Sequence, residues 1–409
     1  WNRPSISNQV FVTMSSSEFP DWIEDDLQKL RKEGLFRTRR TFSPLPDGRC
    51  LLEGQKLINL SSNDYLNLAH DPRLISAAAS ALQVMGVGAR ASALVSGRTE
   101  WHAQLEQRLA DFERTDAAIL FPSGYAANLG VVSAIAGEGD TIYCDRLNHA
   151  SLVDGCRLAG AAFRVYRHDR LEKLKRELDK KTGEGKTIIV TDSIFSMDGI
   201  RAPLVELCDL AEQYHAALVV DEAHGTGVWG ETGRGLAEEL NVESRVTIRI
   251  GTLSKGLGAM GGFVAGSDSL INWLWNRVRT QIYSTALPPA ICAAACESLL
   301  IIKSEPERKQ HLHQLSVFLR QELAHRSLLA DVTSRGPIIP VILEDPERTM
   351  SIAADLQAAG FLVGAIRPPT VPQGTSRLRI SVTSAHQRDD LERFLKALDR
   401  SLARYGKSR

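Results

Sequence analysis

The segment Ala217–His224 reads ALVVDEAH, and the segment Val246–Gly258 reads VTIRIGTLSKGLG. Each begins with an apolar, β-branched run, which is typical of a strand buried on both faces of a parallel sheet. Polar residues follow directly, with Asp221 after the first run and Lys255 after the second. Because ligands of open α/β sheets bind beyond the carboxyl ends of the strands, we expect Asp221 and Lys255 to face one site.

Similar apolar runs recur through the middle of the chain, and helical segments separate most of them. This alternation predicts an α/β fold with a mostly parallel sheet that is covered on both faces. Most of the runs are followed by a polar or glycine-rich cluster, so several clusters converge on one edge of the sheet. The remaining runs are Ala118–Phe121, Thr141–Cys144, Thr187–Val190 and Gly262–Ala265.

The pattern changes near Leu287-Pro288-Pro289. Long helical segments follow, and then strands and helices alternate over Ile338–Tyr405, which indicates a smaller α+β domain. Before the large domain, apolar spacing from about Asp21 predicts a helix that ends near Gly34. We therefore predict an N-terminal extension and helix over 1–60, a large domain over 61–290 and a small C-terminal domain over 291–409.

Composition excludes several classes of function. The 409-residue chain has 49 Lys+Arg and 49 Asp+Glu, so no charge of one sign attracts nucleic acid or an acidic membrane. Its six cysteines are sparse and indicate reduced core thiols, with neither a disulfide framework nor a metal site. No stretch approaches the roughly 18 apolar residues of a membrane span, and Trp1–Ser17 lacks a signal-peptide core. We expect a cytoplasmic protein.

Two segments imitate a dinucleotide-binding motif. Gly86–Ala91 fits G-x-G-x-x-A, but the segment before it, Pro72–Met85, has the pattern of a helix. Gly256–Gly261 fits G-x-G-x-x-G and follows a strand, but the next apolar run leaves no room for a helix. The dinucleotide motif requires a strand before the glycines and a helix after them, so neither segment predicts a nicotinamide enzyme.

A cofactor with a pyridine ring, an aldehyde and a phosphate would use the polar clusters together. Asp221 would keep the ring nitrogen protonated, and the partly desolvated amine of Lys255 would bond to the aldehyde. Gly124 and Tyr125 open a helix directly after a strand, so their backbone N–H groups would bind the phosphate, with the Thr252 hydroxyl beside them.

Two histidines and a serine complete this predicted site. His149 would stack over the ring, while His224 and Ser196 would donate hydrogen bonds to the phenolic oxygen of the ring. A lone histidine at a strand end is usually a satisfied core residue. Here two of them, His149 and His224, follow strands beside Asp221, and that coincidence favours a ligand site.

These residues lie in motifs that resemble one enzyme family. The chain is similar to the α-oxoamine synthases, which are pyridoxal-phosphate-dependent transferases of the aspartate aminotransferase fold (fold type I), from about residue 22 to 402. The motifs that carry the resemblance are SSNDYL (Ser61–Leu66), FPSGYAAN (Phe121–Asn128), NHASLVDG (Asn148–Gly155), IFSMDG (Ile194–Gly199), VDEAHGTGVWGETGRG (Val220–Gly235) and GTLSKGLG (Gly251–Gly258).

The resemblance implies pyridoxal 5′-phosphate as the cofactor and Lys255 as the lysine that bonds to it. Within the family, Gln281–Ala290 and Ala365–His386 are most similar to enzymes of biotin biosynthesis. Those enzymes condense L-alanine with a pimeloyl thioester, carried by coenzyme A or acyl carrier protein, and release CO2. The implied cofactor contacts are Gly124, Tyr125, Ser196, His224 and Thr252, and the implied substrate contacts are Arg37, His149 and Thr370.

Further expectations follow from the family and from side-chain chemistry. The family is homodimeric, with a shared active site that Tyr283-Ser284-Thr285 would reach from the second subunit. Arg367 has the planar guanidinium that suits the amino-acid carboxylate. The loop Gly86–Gly97 departs from the G-S-G-like run of the family, because Arg90 and Ala91 introduce side chains where the acyl tail would pass.

Two alternatives remain open at the level of sequence. The chain would act as another α-oxoamine synthase, such as glycine C-acetyltransferase, if the segments near the C-terminus were poor guides to substrate. Alternatively, the chain would be a non-catalytic scaffold subunit that has the fold of the family but not its activity. The presence of Lys255, His149 and Asp221 together argues against that alternative.

Overall fold

The computed structural model describes residues 21–181, 183–329 and 334–406; the segment Trp1–Ser17, in which the sequence analysis sought a signal peptide, lies outside these ranges. The chain divides into two compact units, residues 1–41 and residues 42–409. The first contains helix α1 (Asp21–Lys32), which confirms the predicted helix, and Gly34 follows it with a φ of 66°. The predicted segment 1–60 is therefore not one unit, because its last 19 residues belong to the second.

The second unit contains two sheets and the remaining helices. Its strands are β1 (Phe42–Pro44), β2 (Arg49–Leu52), β3 (Gln55–Leu60), β4 (Ala117–Phe121), β5 (Thr141–Asp145), β6 (Ala162–Tyr166), β7 (Thr187–Asp192), β8 (Ala217–Asp221), β9 (Ile248–Thr252), β10 (Gly262–Gly266), β11 (Ile338–Glu344), β12 (Phe361–Ile366) and β13 (Ser376–Ser381). Its α-helices are α2 (Pro72–Met85), α3 (Glu100–Glu113), α4 (Gly124–Ile135), α5 (Ala150–Leu158), α6 (Leu171–Asp179), α7 (Leu204–Gln213), α8 (Leu236–Glu239), α9 (Asp268–Arg277), α10 (Arg279–Ile282), α11 (Pro289–Ser304), α12 (Pro306–His325), α13 (Pro346–Ala358) and α14 (Arg388–Tyr405).

The large sheet has seven strands in the order β4-β10-β9-β8-β7-β5-β6. Six of the strands run in one direction and β10 alone runs in the other, which confirms the predicted α/β architecture with a mostly parallel sheet. Successive side chains of a strand point to opposite faces, and here both faces are buried. Ile188 and Val190 join one apolar core, whereas Ile189 joins the other.

The small sheet has the order β1-β2-β3-β12-β13-β11, so residues 42–60 share a sheet with the C-terminal strands. Strand β3 pairs in parallel with β12, placing Ile58 opposite Phe361 and Leu60 opposite Val363. The sequence analysis assigned residues 42–60 to an N-terminal extension. That assignment missed a pairing between segments about 300 residues apart, which local periodicity does not reveal.

Several other sequence expectations can be compared with the fold. Gly86 follows helix α2, and Gly256–Gly261 joins the antiparallel strands β9 and β10, so neither segment has the strand–glycine–helix arrangement of a dinucleotide site. Strand β6 was not predicted, because it lies at the sheet edge and most of its side chains are exposed. All six cysteines are buried thiols. Among the described residues, no helix is long and apolar enough to cross a membrane.

Gly258 fixes the loop that carries Lys255 against the segment before α2. Its φ is 63°, and an added Cβ would lie 2.5 Å from the Ala69 nitrogen. We expect Gly258→Ala to lower the free energy of unfolding by about 3 kcal/mol, because it adds a clash with backbone to an unfavourable φ. Chemical denaturation measures this change.

Gly137→Ala is the matched control for that substitution, because Gly137 has an ordinary φ and no atom within 4 Å of an added Cβ. Equal stability of the two variants would show that the close approach at Gly258 does not constrain the loop.

Candidate active site

A cavity of about 180 Å³ lies at the carboxyl ends of strands β7, β8 and β9. Every residue that the sequence predicted to contact the cofactor lines it, and four others join them. The lining residues are Gly124, Tyr125, Asn128, His149, Asp192, Ser196, Asp221, Ala223, His224, Thr252, Ser254 and Lys255. Within the described ranges, no group of three His, Cys, Asp or Glu residues is arranged to hold a metal ion.

Lys255 follows β9 in the loop that turns back into β10. Its Nζ lies 2.9 Å from Nε2 of His224. Burial lowers the pKa of Lys255 below its ordinary value, although the charges of Asp221 and Asp192 oppose that shift. The neutral, nucleophilic amine is therefore reached at a lower pH than in an exposed lysine.

His224 connects Lys255 to a buried hydrogen-bond chain. Its Nδ1 lies 2.7 Å from the Tyr65 hydroxyl, which donates to Oδ1 of Asn63 at 3.2 Å. Burial lowers the pKa of His224 well below its ordinary value, and the charge of Lys255 lowers it further. The neutral imidazole therefore accepts from Lys255 at Nε2 and donates from Nδ1 to Tyr65.

Asp221 is the last residue of β8, opposite Asp192 at the end of β7. The Asn128 side chain donates to its Oδ2 at 2.5 Å, and the Ala223 backbone N–H donates to its Oδ1 at 2.7 Å. These two donors orient the carboxylate at the wall of the cavity. A fixed carboxylate at this place is suited to an ion pair with a protonated ring nitrogen.

His149 precedes helix α5 and is tied to the sheet through its backbone. Its N–H donates to Oδ2 of Asp192 at 2.8 Å, and its ring meets the Tyr125 ring edge-on with centroids 6.2 Å apart. Burial lowers the pKa of His149, so the ring is neutral at physiological pH.

The N-terminus of α4 forms a cradle suited to a phosphate. Ser123 caps the helix by accepting from the Ala126 N–H at 3.1 Å, and an added Cβ at Gly124 would lie 3.3 Å from Oγ1 of Thr252. That hydroxyl donates to the Gly261 carbonyl at 2.9 Å. Free N–H groups and a small residue at a helix start favour an anion, so the cavity fits the phosphate, ring and aldehyde of pyridoxal phosphate.

Three residues predicted to contact the substrate are not among those that line the cavity. Arg37 is exposed and belongs to the first unit. Arg367 follows β12, where its Nη1 lies 2.8 Å from Sδ of Met350. Thr370 is exposed in the turn after Arg367. Their predicted roles therefore remain predictions.

The structure adds residues that the sequence analysis did not select. Arg379, on β13, donates from Nε to the Ser196 carbonyl at 2.6 Å, and its Nη groups lie 3.3 Å from Oδ1 of Asn63. A signal for it existed, because Arg377 and Arg379 alternate within a completely buried strand. Asn128 could also have been found, since it lies one helical turn after Gly124 and so faces the same side of α4.

Comparison with known proteins identifies the family of the chain. The chain matches the family Aminotransferase class I and II over residues 55–398. It is 45% identical to 8-amino-7-oxononanoate synthase from Geobacter sulfurreducens over 380 residues, which cover 92% of this chain and 97% of that protein.

Two solved structures extend the comparison to the backbone. A serine palmitoyltransferase variant from S. paucimobilis with bound PLP and myriocin superposes with a TM-score of 0.89 at 30% identity, covering 94% of this chain and 97% of that one. An 8-amino-7-oxononanoate synthase from Francisella tularensis superposes with a TM-score of 0.74 at 28% identity, covering 85% and 98%. The chain therefore belongs to the aminotransferase class I and II family and, within it, to the α-oxoamine synthases.

Proposed function

We propose that the protein is a pyridoxal-phosphate-dependent acyltransferase that condenses L-alanine with a pimeloyl thioester and releases CO2 and the thiol of coenzyme A or the carrier protein. Its product would be 8-amino-7-oxononanoate, a precursor of biotin, formed in the cytoplasm. The observation that carries the proposal is that relatives at 43–46% identity, matched over more than nine-tenths of this chain, bear that enzyme's name. The cavity supports the chemistry, because a desolvated amine and an oriented carboxylate share its wall.

Each residue of the cavity has a distinct task in this proposal. Bound pyridoxal phosphate supplies an aldehyde for an amine and a protonated ring that withdraws electrons from Cα of the amino acid. Lys255 would hold the aldehyde group through Nζ, and the same Nζ would serve as the base for the Cα proton of the amino acid. Asp221 holds the ring nitrogen in its protonated form. The N–H groups at Gly124 and Tyr125 bind the phosphate.

The other side chains orient the reactants. Ser196 would donate to the phenolic oxygen of the ring, with the neutral His224 in contact beside it, and His149 would lie over the ring and donate to the substrate carboxylate or to the oxyanion that forms on the thioester carbonyl. Arg379 is a buried guanidinium, and its positive charge lowers the pKa of both Lys255 and His224. We propose Arg379, in place of the predicted Arg367, for the alanine carboxylate, since it donates to the carbonyl of Ser196, which lines the cavity.

The acyl donor and a second subunit complete the proposal. We infer that Arg37 and Thr370 contact the thioester, and that the protein forms a homodimer with a shared site. Exposed apolar side chains near the altered glycine loop support pairing with a second copy, because such patches mark interfaces. The exposed fractions are 79% for Val84, 81% for Val87, 78% for Val95 and 73% for Tyr283. Sedimentation velocity tests the dimer.

A matrix of substrates tests the activity. L-alanine, glycine and L-serine are each incubated with pimeloyl-CoA, pimeloyl carrier protein, acetyl-CoA or palmitoyl-CoA, and mass spectrometry identifies the product. We expect L-alanine with a pimeloyl donor to give at least about ten times the kcat/KM of any other pair, which is the discrimination that one or two methylenes support. Preference for glycine with acetyl-CoA would identify the glycine C-acetyltransferase alternative, and no turnover with any pair would favour a scaffold.

A further inference from the structure

We propose that Asn128 and Ser151 are positioning residues that hold His149 as one tautomer, with its ring proton on Nε2, and connect that ring to the Asp221 carboxylate. The inference deepens the proposed function and rests on it, because it specifies how His149 serves the reaction. It assigns His149 the role of a hydrogen-bond donor and removes it from the candidates for a general base.

Two contacts of His149 favour an unprotonated Nδ1 that acts as an acceptor. His149 caps α5, and the backbone N–H of Ser151 points at its Nδ1 from 3.3 Å. A backbone N–H can only donate, so this contact favours an unprotonated Nδ1, and the shorter bond from the Ser151 hydroxyl is needed to hold it so. Since a neutral imidazole keeps one ring proton, that proton lies on Nε2.

The Ser151 hydroxyl supports the same tautomer. Its Oγ lies 2.7 Å from Nδ1 of His149, and a bare Nδ1 requires the hydroxyl to donate. The oxygen of that hydroxyl accepts from Nδ2 of Asn128 at 2.9 Å. Ser151 is completely buried, so solvent does not compete for its hydroxyl.

The Asn128 amide sets the direction of the chain. One N–H of its Nδ2 donates to Oγ of Ser151, and the other donates to Oδ2 of Asp221 at 2.5 Å. A flipped amide would place its carbonyl oxygen against the Asp221 carboxylate, which is repulsive. Asn128 therefore donates both to Asp221 and to Ser151, and Ser151 in turn donates to His149.

An unpaired atom indicates that this orientation is retained for more than stability. Oδ1 of Asn128 is buried and has no hydrogen-bond partner among the described residues. A buried acceptor without a donor destabilises a fold. Both N–H groups of the Asn128 amide form hydrogen bonds beside the cavity, while its oxygen forms none. Such a local cost is expected where the orientation of a side chain is needed for the function of a site.

The consequence concerns the reacting atoms. With Nδ1 occupied on the α5 side, Nε2 is the ring nitrogen left to meet a ligand in the cavity, and it can only donate. His149 then stabilises a carboxylate or an oxyanion, and proton removal from Cα falls to Lys255.

Nitrogen NMR of the protein labelled with ¹⁵N-histidine tests the tautomer. The chain has ten histidines, and the signals of His149 are those that vanish in His149→Asn. We expect a protonated Nε2 and a bare Nδ1 in the cofactor-loaded protein. In Ser151→Ala we expect averaged shifts from two tautomers, with kcat about tenfold lower and cofactor affinity nearly unchanged.

Two matched variants isolate the hydroxyl. Ser151→Thr keeps it and should restore the single tautomer and most of kcat. Ser316→Ala removes a hydroxyl that is equally buried but donates to the Leu312 carbonyl within α12, so it should change neither the His149 signals nor kcat.

A protonated Nδ1 in the unsubstituted protein, or an unaltered His149 spectrum in Ser151→Ala, would overturn the inference. The first of these needs no variant to fold. The spectrum is recorded without substrate, so an inactive protein with the predicted tautomer would refute the proposed function and leave the positioning role supported.

Discussion

Lys255→Ala is expected to abolish turnover, with a loss of kcat of at least about a thousandfold, because Lys255 is the only lysine among the described residues that line the cavity. The visible absorbance of the lysine–cofactor bond should disappear as well. Added cofactor should still bind weakly, since the phosphate cradle at the N-terminus of α4 is intact.

Lys309→Ala is the control for a lysine in a similar environment. Burial also lowers the pKa of Lys309, but its Nζ donates to the Gly230 and Glu231 carbonyls and does not line the cavity. We expect Lys309→Ala to retain both the absorbance and kcat. Retained turnover in Lys255→Ala, or an equal loss in Lys309→Ala, would contradict the assigned role of Lys255.

Asp221→Asn is expected to reduce kcat by about a thousandfold while cofactor affinity falls less than about tenfold. An amide does not ion-pair with a protonated ring nitrogen, so the ring withdraws electrons from Cα poorly. The exchange of the Cα proton of L-alanine with D2O, followed by NMR, measures this step, and equilibrium dialysis measures cofactor affinity.

Asp71→Asn separates this effect from the general loss of a buried carboxylate. Asp71 is buried, caps α2 and pairs with Arg73 and Arg308, but it lies outside the residues that line the cavity. That variant should lower the melting temperature and leave exchange unchanged. Equal losses of affinity and exchange in Asp221→Asn would indicate a merely structural carboxylate.

The features of the site that could be predicted from sequence are those that depend on local pattern. Asp221 and Lys255 each follow an apolar run, and parallel strands bring such ends together, so their common cavity follows from periodicity and topology. His149 and His224 were predicted for the same reason.

What could not be predicted depends on contacts between distant segments. Arg379 reaches the site because β13 packs its side chain against the Ser196 loop, 183 residues away in sequence. The hydrogen bond between Tyr65 and His224 likewise joins residues that are 159 positions apart in the sequence. The two arginines of β13 could have drawn attention to Arg379, but no local pattern shows that it contacts Ser196 or that Tyr65 contacts His224. The same is true of β1–β3, whose place in the small sheet depends on the parallel pairing of β3 with β12.

The central claim is that the Lys255 amine and the Asp221 carboxylate serve one pyridine ring from two sides. A crystal structure of the protein loaded with pyridoxal phosphate tests it most directly. We predict continuous density from Nζ of Lys255 into the cofactor and a carboxylate oxygen of Asp221 about 2.8 Å from the ring nitrogen. A cofactor bonded to another lysine, or a ring nitrogen that faces a different group, would contradict the account.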